Sequence, residues 1–590
     1  MSTNNLYAEP KLAAYRQGKG NVPGKYWLWP LYGAGIENLG RDGKPIEVDT
    51  PHVGADEILV RHDAVGLCFS DIKVIKAGET HPRLQGRDMK TNPVVLGHEV
   101  ALTVIQVGAN LRQRFNPGDR FIVQADIIYK GVGTAYGYAL QGGLSQFNTI
   151  GPTILDGDEG CYLLPVRPEF GYAQAALTEP WACVTASYDV IYRAGWAPYG
   201  DVVIVAGPSA LQDYELSTPY AGGQPPTKVI TLGVQGQLLA ELRARSKADG
   251  FILVEIGPIS DATLAEAVGA TKHGGFDDVV LLGADAALYE KLEPKARKGA
   301  VLNMVGSQAF TSTTQVDVGR IHYDNLSLTG TSSSNISLSY NPIRTELKTN
   351  GYAAMLGAAG PMGQMHVQRV MEAAEGPRLV VATDLLPDRL AVITEKFASI
   401  LEEKKGTTDL VLKTPEGKTP VEFNASLVAM TNNAGFDDIV VLAPSAGVVA
   451  GAVKMLAQDG VLNIFAGLPS GTKAGLDLTG LVTKGQRFTG TSGSAIRDLR
   501  NMLQAAESGR INPNLSVAAI SGLSDANKGL DGVMHQAFTG KCVIYPQVLN
   551  FPVTMLEDLE TVLPNVYAKL GPHVTWTVEA EAEFLKEMLP

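Results

Sequence analysis

Cysteine is scarce in this chain, with four residues in 590, at Cys68, Cys161, Cys183 and Cys542. Thiols so far apart make no disulfide framework, and they fit a reducing cytoplasm in which a thiolate can serve as a ligand. Long hydrophobic runs are missing too: no apolar stretch reaches the ~18 residues that spanning a bilayer requires. Basic runs are absent and the net charge is −12, which argues against a nucleic-acid partner. The opening residues, Met1 to Tyr7, carry no basic segment followed by an apolar stretch, so no secretory signal is expected. The expectation is a cytoplasmic protein with a small-molecule substrate and neither a nucleic-acid nor a membrane partner.

Glycine, by contrast, is abundant, with 64 residues, as the tight strand-to-helix turns of an α/β protein require. The length is too great for one core, and ~150 residues per domain predicts about four domains. Residues 1–25 read as a polar leader. From Lys25 to about Pro165 short β-type runs alternate with turn signals, among them Glu57–Arg61, Val94–His98, Ala101–Val107 and Arg120–Gln124. That rhythm predicts a small β-barrel. From about Gly200 apolar strand-like runs alternate with helical patterns, which predicts βαβ units around a parallel sheet.

The α/β part repeats itself. Gly275-Phe-Asp-Asp-Val-Val recurs as Gly435-Phe-Asp-Asp-Ile-Val, Val301-Leu-Asn-Met as Val461-Leu-Asn-Ile and Thr329-Gly-Thr-Ser as Thr489-Gly-Thr-Ser, each time 160 residues on. One offset held across some fifty residues predicts two tandem copies of one domain. The second copy opens with Tyr352-Ala-Ala-Met-Leu-Gly-Ala-Ala-Gly-Pro-Met-Gly363 and then a helical stretch. A strand, glycines and a helix start make a phosphate-cradling turn. Gly360 lets the backbone approach a pyrophosphate, Gly363 permits close helix–sheet packing, and the helix beginning at Pro361 and Met362 supplies oriented N–H groups. Ala358 replaces the first glycine of the usual pattern. Asp384 ends the next strand, where an acid accepts hydrogen bonds from a ribose 2′-OH and repels a 2′-phosphate, which favours NAD over NADP. Arg389, five residues on, is the competing phosphate partner. The first copy has Ala210 in place of Gly363 and Gly233 in place of the acid, so it is expected to be degenerate and without a cofactor.

Near the N-terminus stand Gly66-Leu-Cys-Phe-Ser-Asp71 and Gly97-His-Glu99, with Glu179 further along in Ala176-Leu-Thr-Glu-Pro-Trp-Ala-Cys183. A thiolate, an imidazole and carboxylates suit zinc and leave a position open for substrate. Singly, each residue is as well explained by packing or by a solvated surface. The runs Asp56–Asp71, Val94–Val100 and Phe115–Phe121, with Gly142–Phe147, Glu179-Pro180 and Gly540–Tyr545, resemble the zinc-type medium-chain dehydrogenase/reductase family. The sorbitol and threonine dehydrogenase branch is the nearest in pattern, and the Cys68-x-Ser70-x-x-Lys73 spacing is similar to that of sorbose 1-phosphate reductases.

The resemblance implies a GroES-like barrel over residues 1–198, completed by 546–590, and an NAD-binding Rossmann domain over 346–545; the internal repeat adds a degenerate Rossmann-like domain over 199–345, a departure from the single copy of most of the family. It implies direct zinc ligands at Cys68 and His98, and Glu99 and Glu179 as ligands or water-holding partners. Asp71 would orient His98, and Ser70 would bond the substrate hydroxyl and start a proton relay. Lys73 replaces the relay histidine of many relatives and reads either as a surface lysine or as a contact to an anionic substrate group. One catalytic zinc is expected and no structural zinc, because no Cys lies between Asp119 and Glu159. The expected activity is NAD-linked oxidation of a secondary alcohol (a polyol, sugar or sugar phosphate) by a homo-oligomer, dimer or tetramer. The rival readings are a zinc-free reductase of the same superfamily and a nucleotide sensor or scaffold without catalysis.

Overall fold

The computed structural model describes residues 9–19, 22–84, 86–189, 193–211, 213–340, 344 and 346–590. Five N-terminal strands, β1 (Ile58–Gly66), β2 (Glu99–Val107), β3 (Arg120–Val123), β4 (Phe147–Ile150) and β5 (Leu163–Pro165), pair antiparallel. β1 is buried along its whole length, because β4 and β2 both pair with it and helices cover it. Helix α1 (Phe69–Ala77) follows β1 directly, and α2 (Thr178–Ala186) closes the unit. Of the residues read as a leader, Pro10–Arg16 form a short helix with Leu12 buried against this core, and residues 1–8 lie outside the described part.

The α/β part is one sheet of twelve strands. Its first half contains β6 (Asp201–Ala206), β7 (Lys228–Leu232), β8 (Ile252–Ile256), β9 (Phe276–Leu282), β10 (Ala296–Val305) and β11 (Ser327–Thr331), with helix α3 (Val318–Tyr323) before the last. Its second half contains β12 (Tyr352–Leu356), β13 (Leu379–Thr383), β14 (Asp409–Lys413), β15 (Phe436–Val441), β16 (Leu456–Ile464) and β17 (Arg487–Thr489). The order across the sheet is β8-β7-β6-β9-β10-β11-β17-β16-β15-β12-β13-β14. Each half is parallel and has the 3-2-1-4-5-6 order of a dinucleotide-binding sheet. They meet antiparallel where Leu328 faces Phe488, and the short strands Thr314–Asp317 and Lys473–Leu476 pair antiparallel nearby. The two halves are thus related by a local two-fold axis.

They differ at the first crossover. In the second half α4 (Pro361–Glu372) joins β12 to β13, and α5 (Pro387–Lys396) follows β13. In the first half, among the described residues, only a three-residue 3-10 turn lies between β6 and β7. Among the described residues, therefore, no helix N-terminus stands at that strand end.

After α6 (Ile496–Glu507) the chain returns to the N-terminal sheet. β18 (Val517–Gly522) and β19 (Lys541–Tyr545) run parallel, β19 pairs antiparallel with β1, and β20 (Thr554–Met555) pairs with β18. This corrects the boundary at 545, since residues 517–545 belong with the barrel. Both strands are buried throughout and parallel to each other, so their residue pattern is that of an α/β strand.

Candidate active site

Cys68 is the N-cap of α1, and its neighbourhood is organised by Asp71, the third residue of that helix. The Asp71 carboxylate accepts from Cys68 N at 3.0 Å and Gly97 N at 3.3 Å, and faces His98 Nδ1 at 3.2 Å. One buried acid therefore satisfies the helix start, fixes the loop before β2 and orients the imidazole, leaving Nε2 available as a donor to a metal. Burial disfavours a charged His98, but Asp71, Tyr138 and Cys68 outweigh it and hold the group well above its ordinary pKa.

Donor atoms of Cys68, His98 and Glu99 all lie within 4.8 Å of one another. Glu99, the first residue of β2, forms a buried ion pair with Lys541 of β19 through one oxygen. Its Oε2 is buried with no hydrogen-bond partner among the described residues. A Cβ on Gly66 would meet that oxygen at 2.1 Å, so the carboxylate packs against β1 where only glycine leaves room. A thiol, an imidazole and an unsatisfied carboxylate oxygen fit a zinc ion in donor type and spacing.

Glu179 is buried beside this cluster in the first turn of α2 but stands outside the donor-spaced set. Burial pushes its carboxyl up to about 7; Glu99 adds to the push, and His98 and Lys541 oppose it. Ser70 is half-buried, with no hydrogen bond from its side chain among the described residues. Lys73 is half-buried as well, and its Nζ donates to Tyr323 Oη of α3 at 2.6 Å. The first α/β half thus reaches into the site.

In the second α/β half Gly360 is the N-cap of α4, with Pro361 and Met362 in its first turn. A Cβ on Gly360 would meet nothing within 4 Å, whereas one on Gly363 would meet the Ala358 backbone at 2.6 Å. Gly363 is needed for packing, and Gly360 leaves an open approach to the helix N-terminus. Asp384 Oδ2 accepts from Ala359 N at 3.0 Å, so the acid at the end of β13 adjoins this turn. Arg389, the competing phosphate partner by position, is engaged by backbone carbonyls in this structure. Its Nη1 and Nη2 donate to the carbonyls of Gln536 at 2.7 Å and Phe538 at 2.9 Å, which ties α5 to the segment before β19.

Residues 54–161 match the family model of the alcohol dehydrogenase GroES-like domain. The N-terminal unit is such a domain. Beyond it, the chain is 21% identical to a mannitol-1-phosphate 5-dehydrogenase of Aliivibrio fischeri over 86% of its own length and 85% of that protein. It is 22% identical to an L-sorbose 1-phosphate reductase of Klebsiella pneumoniae over 91% and 92% of the two chains. The fold is similar to that of 2R,3R-butanediol dehydrogenase from Bacillus subtilis, with a TM-score of 0.50 at 14% identity, covering 88% of this chain and 99% of that one. These similarities are consistent with the medium-chain dehydrogenase/reductase superfamily and support a dehydrogenase.

Lys541, Tyr138, His322, Tyr323 and Gly467 were not singled out from the sequence as site residues. Tyr138 lies with its ring centroid 5.6 Å from that of His98. Lys541 carried a signal of its own, a lysine on an otherwise apolar strand; the others had none.

Proposed function

We propose that the chain is a zinc-dependent oxidoreductase that transfers a hydride between NAD(H) and a secondary alcohol or ketone of a polyol, sugar or sugar phosphate. The observation that carries this reading is the Cys68, His98 and Glu99 set, with its unsatisfied carboxylate oxygen, inside an alcohol dehydrogenase GroES-like domain. When bound there, a single zinc would polarise the substrate oxygen as a Lewis acid.

The chain's own groups would do the rest. Asp71 keeps His98 in one orientation, and Lys541 balances the charge of Glu99. Glu179 stands by as a water-holding partner or a further ligand. Ser70 accepts the substrate's hydroxyl proton and passes it outward. The α4 N-terminus and the open approach at Gly360 hold a pyrophosphate, and Asp384 receives the ribose 2′-OH, which favours NAD.

The substrate class is supported by relatives whose names specify polyol and sugar phosphates. In this reading the two sheet halves come from duplication of one domain, and the first, lacking the crossover helix, binds no cofactor. The catalytic unit comprises the N-terminal barrel and the residues from 517 onward. No helix among the described residues is long and apolar enough to cross a membrane. The proposed setting is a cytoplasmic homo-oligomer, dimer or tetramer, acting on a small molecule without nucleic acid.

The test is a screen of NAD reduction over polyols, sugars and their phosphates, with and without chelator, alongside zinc analysis of wild type and Cys68→Ala. The expected result is turnover that chelator abolishes and about one zinc per chain that Cys68→Ala loses. Turnover indifferent to chelator would favour the zinc-free reductase. NAD binding without turnover of any alcohol, with zinc present, would favour the sensor.

A further inference from the structure

Lys73 is a charge that the proposed hydride transfer leaves without a task. On α1, Asp71, Ile72, Val74 and Ile75 are buried in the barrel unit, while Ser70 and Lys73 share the other face, three residues apart. That face does not meet open water at Lys73. Besides the bond to Tyr323 Oη, Lys73 Nζ lies 5.3 Å from the centroid of the Tyr323 ring. A Cβ on Gly467, in the turn after β16, would sit 2.8 Å from Nζ and 3.0 Å from Tyr323 Oη. Barrel, first half and second half therefore converge on one ammonium group.

Its surroundings are short of negative charge. Among the described residues the hydrogen bond of Lys73 is to a neutral phenol, and no carboxylate lies within ion-pair distance. His322, beside Tyr323 on α3, is pushed down to about 4 by burial and then by Lys73, so it is a neutral ring. Burial lowers His81 as well, helped by Arg83 and Lys73, which marks three basic groups near one another. Arg83 already has Asp126 at 2.6 Å, leaving Lys73 as the cation without an acid. A half-buried ammonium with only a phenol to face is costly until an anion joins it. While the Tyr323 oxygen accepts from Lys73, its own proton stays available, so the pair offers an anion one charged and one neutral donor.

We propose that Lys73 and Tyr323 form the subsite for the phosphate ester of the substrate. The first α/β half, which lacks the nucleotide-binding turn, then serves as a specificity element of the active site. The choice of a polyol or sugar as the ester's carrier rests on the dehydrogenase reading above; the anion subsite itself does not. Lys73 lies five residues beyond Cys68, about 7.5 Å along the axis of α1.

The test uses the full chain with NAD present, so that the α4 turn is filled, and two readouts. The first is binding of inorganic phosphate, followed by ³¹P line broadening in wild type, Lys73→Met, Lys73→Arg and Tyr323→Phe. The expected result is binding weakened about tenfold or more by Lys73→Met, a few-fold by Tyr323→Phe, and largely restored by Lys73→Arg. The second is the ratio of kcat/KM for an alditol phosphate over the parent alditol, which should fall about tenfold or more in Lys73→Met. Phosphate binding that is equal in wild type and a folded Lys73→Met protein would overturn the proposal while leaving the dehydrogenase reading intact. Lys73-dependent phosphate binding in a protein that oxidises no alcohol would uphold the subsite and sink the dehydrogenase reading instead.

Discussion

Replacing Lys541 by Met tests the charge balance at the floor of the site. The side chains of Lys541 and Glu99 are 4% and 0% exposed, and Lys541 Nζ also donates to Leu67 O at 3.2 Å. Met fills much of the lysine stem's volume and removes only the ammonium, so Glu99 is left as a buried carboxylate with no partner for either oxygen. Removing one member of a buried ion pair costs about 3–5 kcal/mol, chiefly because the survivor stays charged out of water. Lys541→Met should therefore lower the unfolding free energy of the metal-free protein by about that amount. A divalent cation held by Cys68, His98 and Glu99 would restore the missing positive charge, so saturating zinc should return a large part of the loss. Urea unfolding followed by tryptophan fluorescence suits the measurement. Trp27, Trp29, Trp181 and Trp576, four of the five tryptophans, lie in or against the core that contains the site. The comparison needs wild type and variant, each with chelator and with excess zinc. A loss below about 1 kcal/mol without metal, or a loss that zinc leaves untouched, would refute the reasoning.

Other consequences are simpler to state. Asp384→Ala removes the acceptor at the end of β13, so the preference for NAD over NADP should fall about tenfold in kcat/KM; an unchanged ratio would show that the acid does not read the ribose. Gly363→Ala puts a Cβ 2.6 Å from the Ala358 backbone, which must move α4 away from the sheet. NAD affinity, by calorimetry, should drop about tenfold or more, and wild-type affinity would exclude this turn as the cofactor site. Glu293 is 1% exposed, and burial pushes its carboxyl from 4.5 up to about 7, partly opposed by the N–H of Asp317. A raised folded-state pKa favours the protonated form, so this contribution to stability is complete below about pH 4.5 and is lost as pH rises through about 7. Glu293→Gln should flatten Tm against pH across that window; identical slopes in variant and wild type would contradict the assignment.

What the sequence disclosed followed the range of each interaction. The Cys68 to Asp71 stretch is a single helix start, and Gly97-His98-Glu99 opens one strand, so the donors could be read from adjacent letters. Equally local is the turn at Gly360, where Gly363 must be glycine because Ala358 lies one turn away. Arg389 shows the limit of local reading: its position by Asp384 is local, but its hydrogen bonds go to carbonyls about 150 residues downstream. β18 and β19 misled because two-sided burial gives a strand the same composition in either sheet, and pairing with β1 is not written in their own residues. Tyr323 stands 250 residues from Lys73 with no spacing rule to join them.

Lys541 and Glu99 are a different case, because 442 residues separate them and yet each implies the other. Glu99 heads the run Glu-Val-Ala-Leu-Thr-Val-Ile, and Lys541 heads Lys-Cys-Val-Ile-Tyr. A charged residue beginning so apolar a strand is buried with the strand, and a buried charge needs a partner of opposite sign. A strand-borne acid beside a candidate metal set therefore calls for a strand-borne cation, and Gly540-Lys-Cys supplies one. The structure adds that the pairing runs through β1, with β2 on one side of it and β19 on the other. Gly66 of β1 lies opposite both Glu99 and Val543, and its missing side chain leaves the space that Glu99 Oε2 occupies. A side chain at position 66 should therefore disturb the site as severely as loss of Lys541, although Gly66 carries no chemistry of its own. Gly66→Ala should lose zinc stoichiometry along with Cys68→Ala, and retention of full zinc in a folded Gly66→Ala protein would show that the carboxylate is not held where β1 leaves room for it.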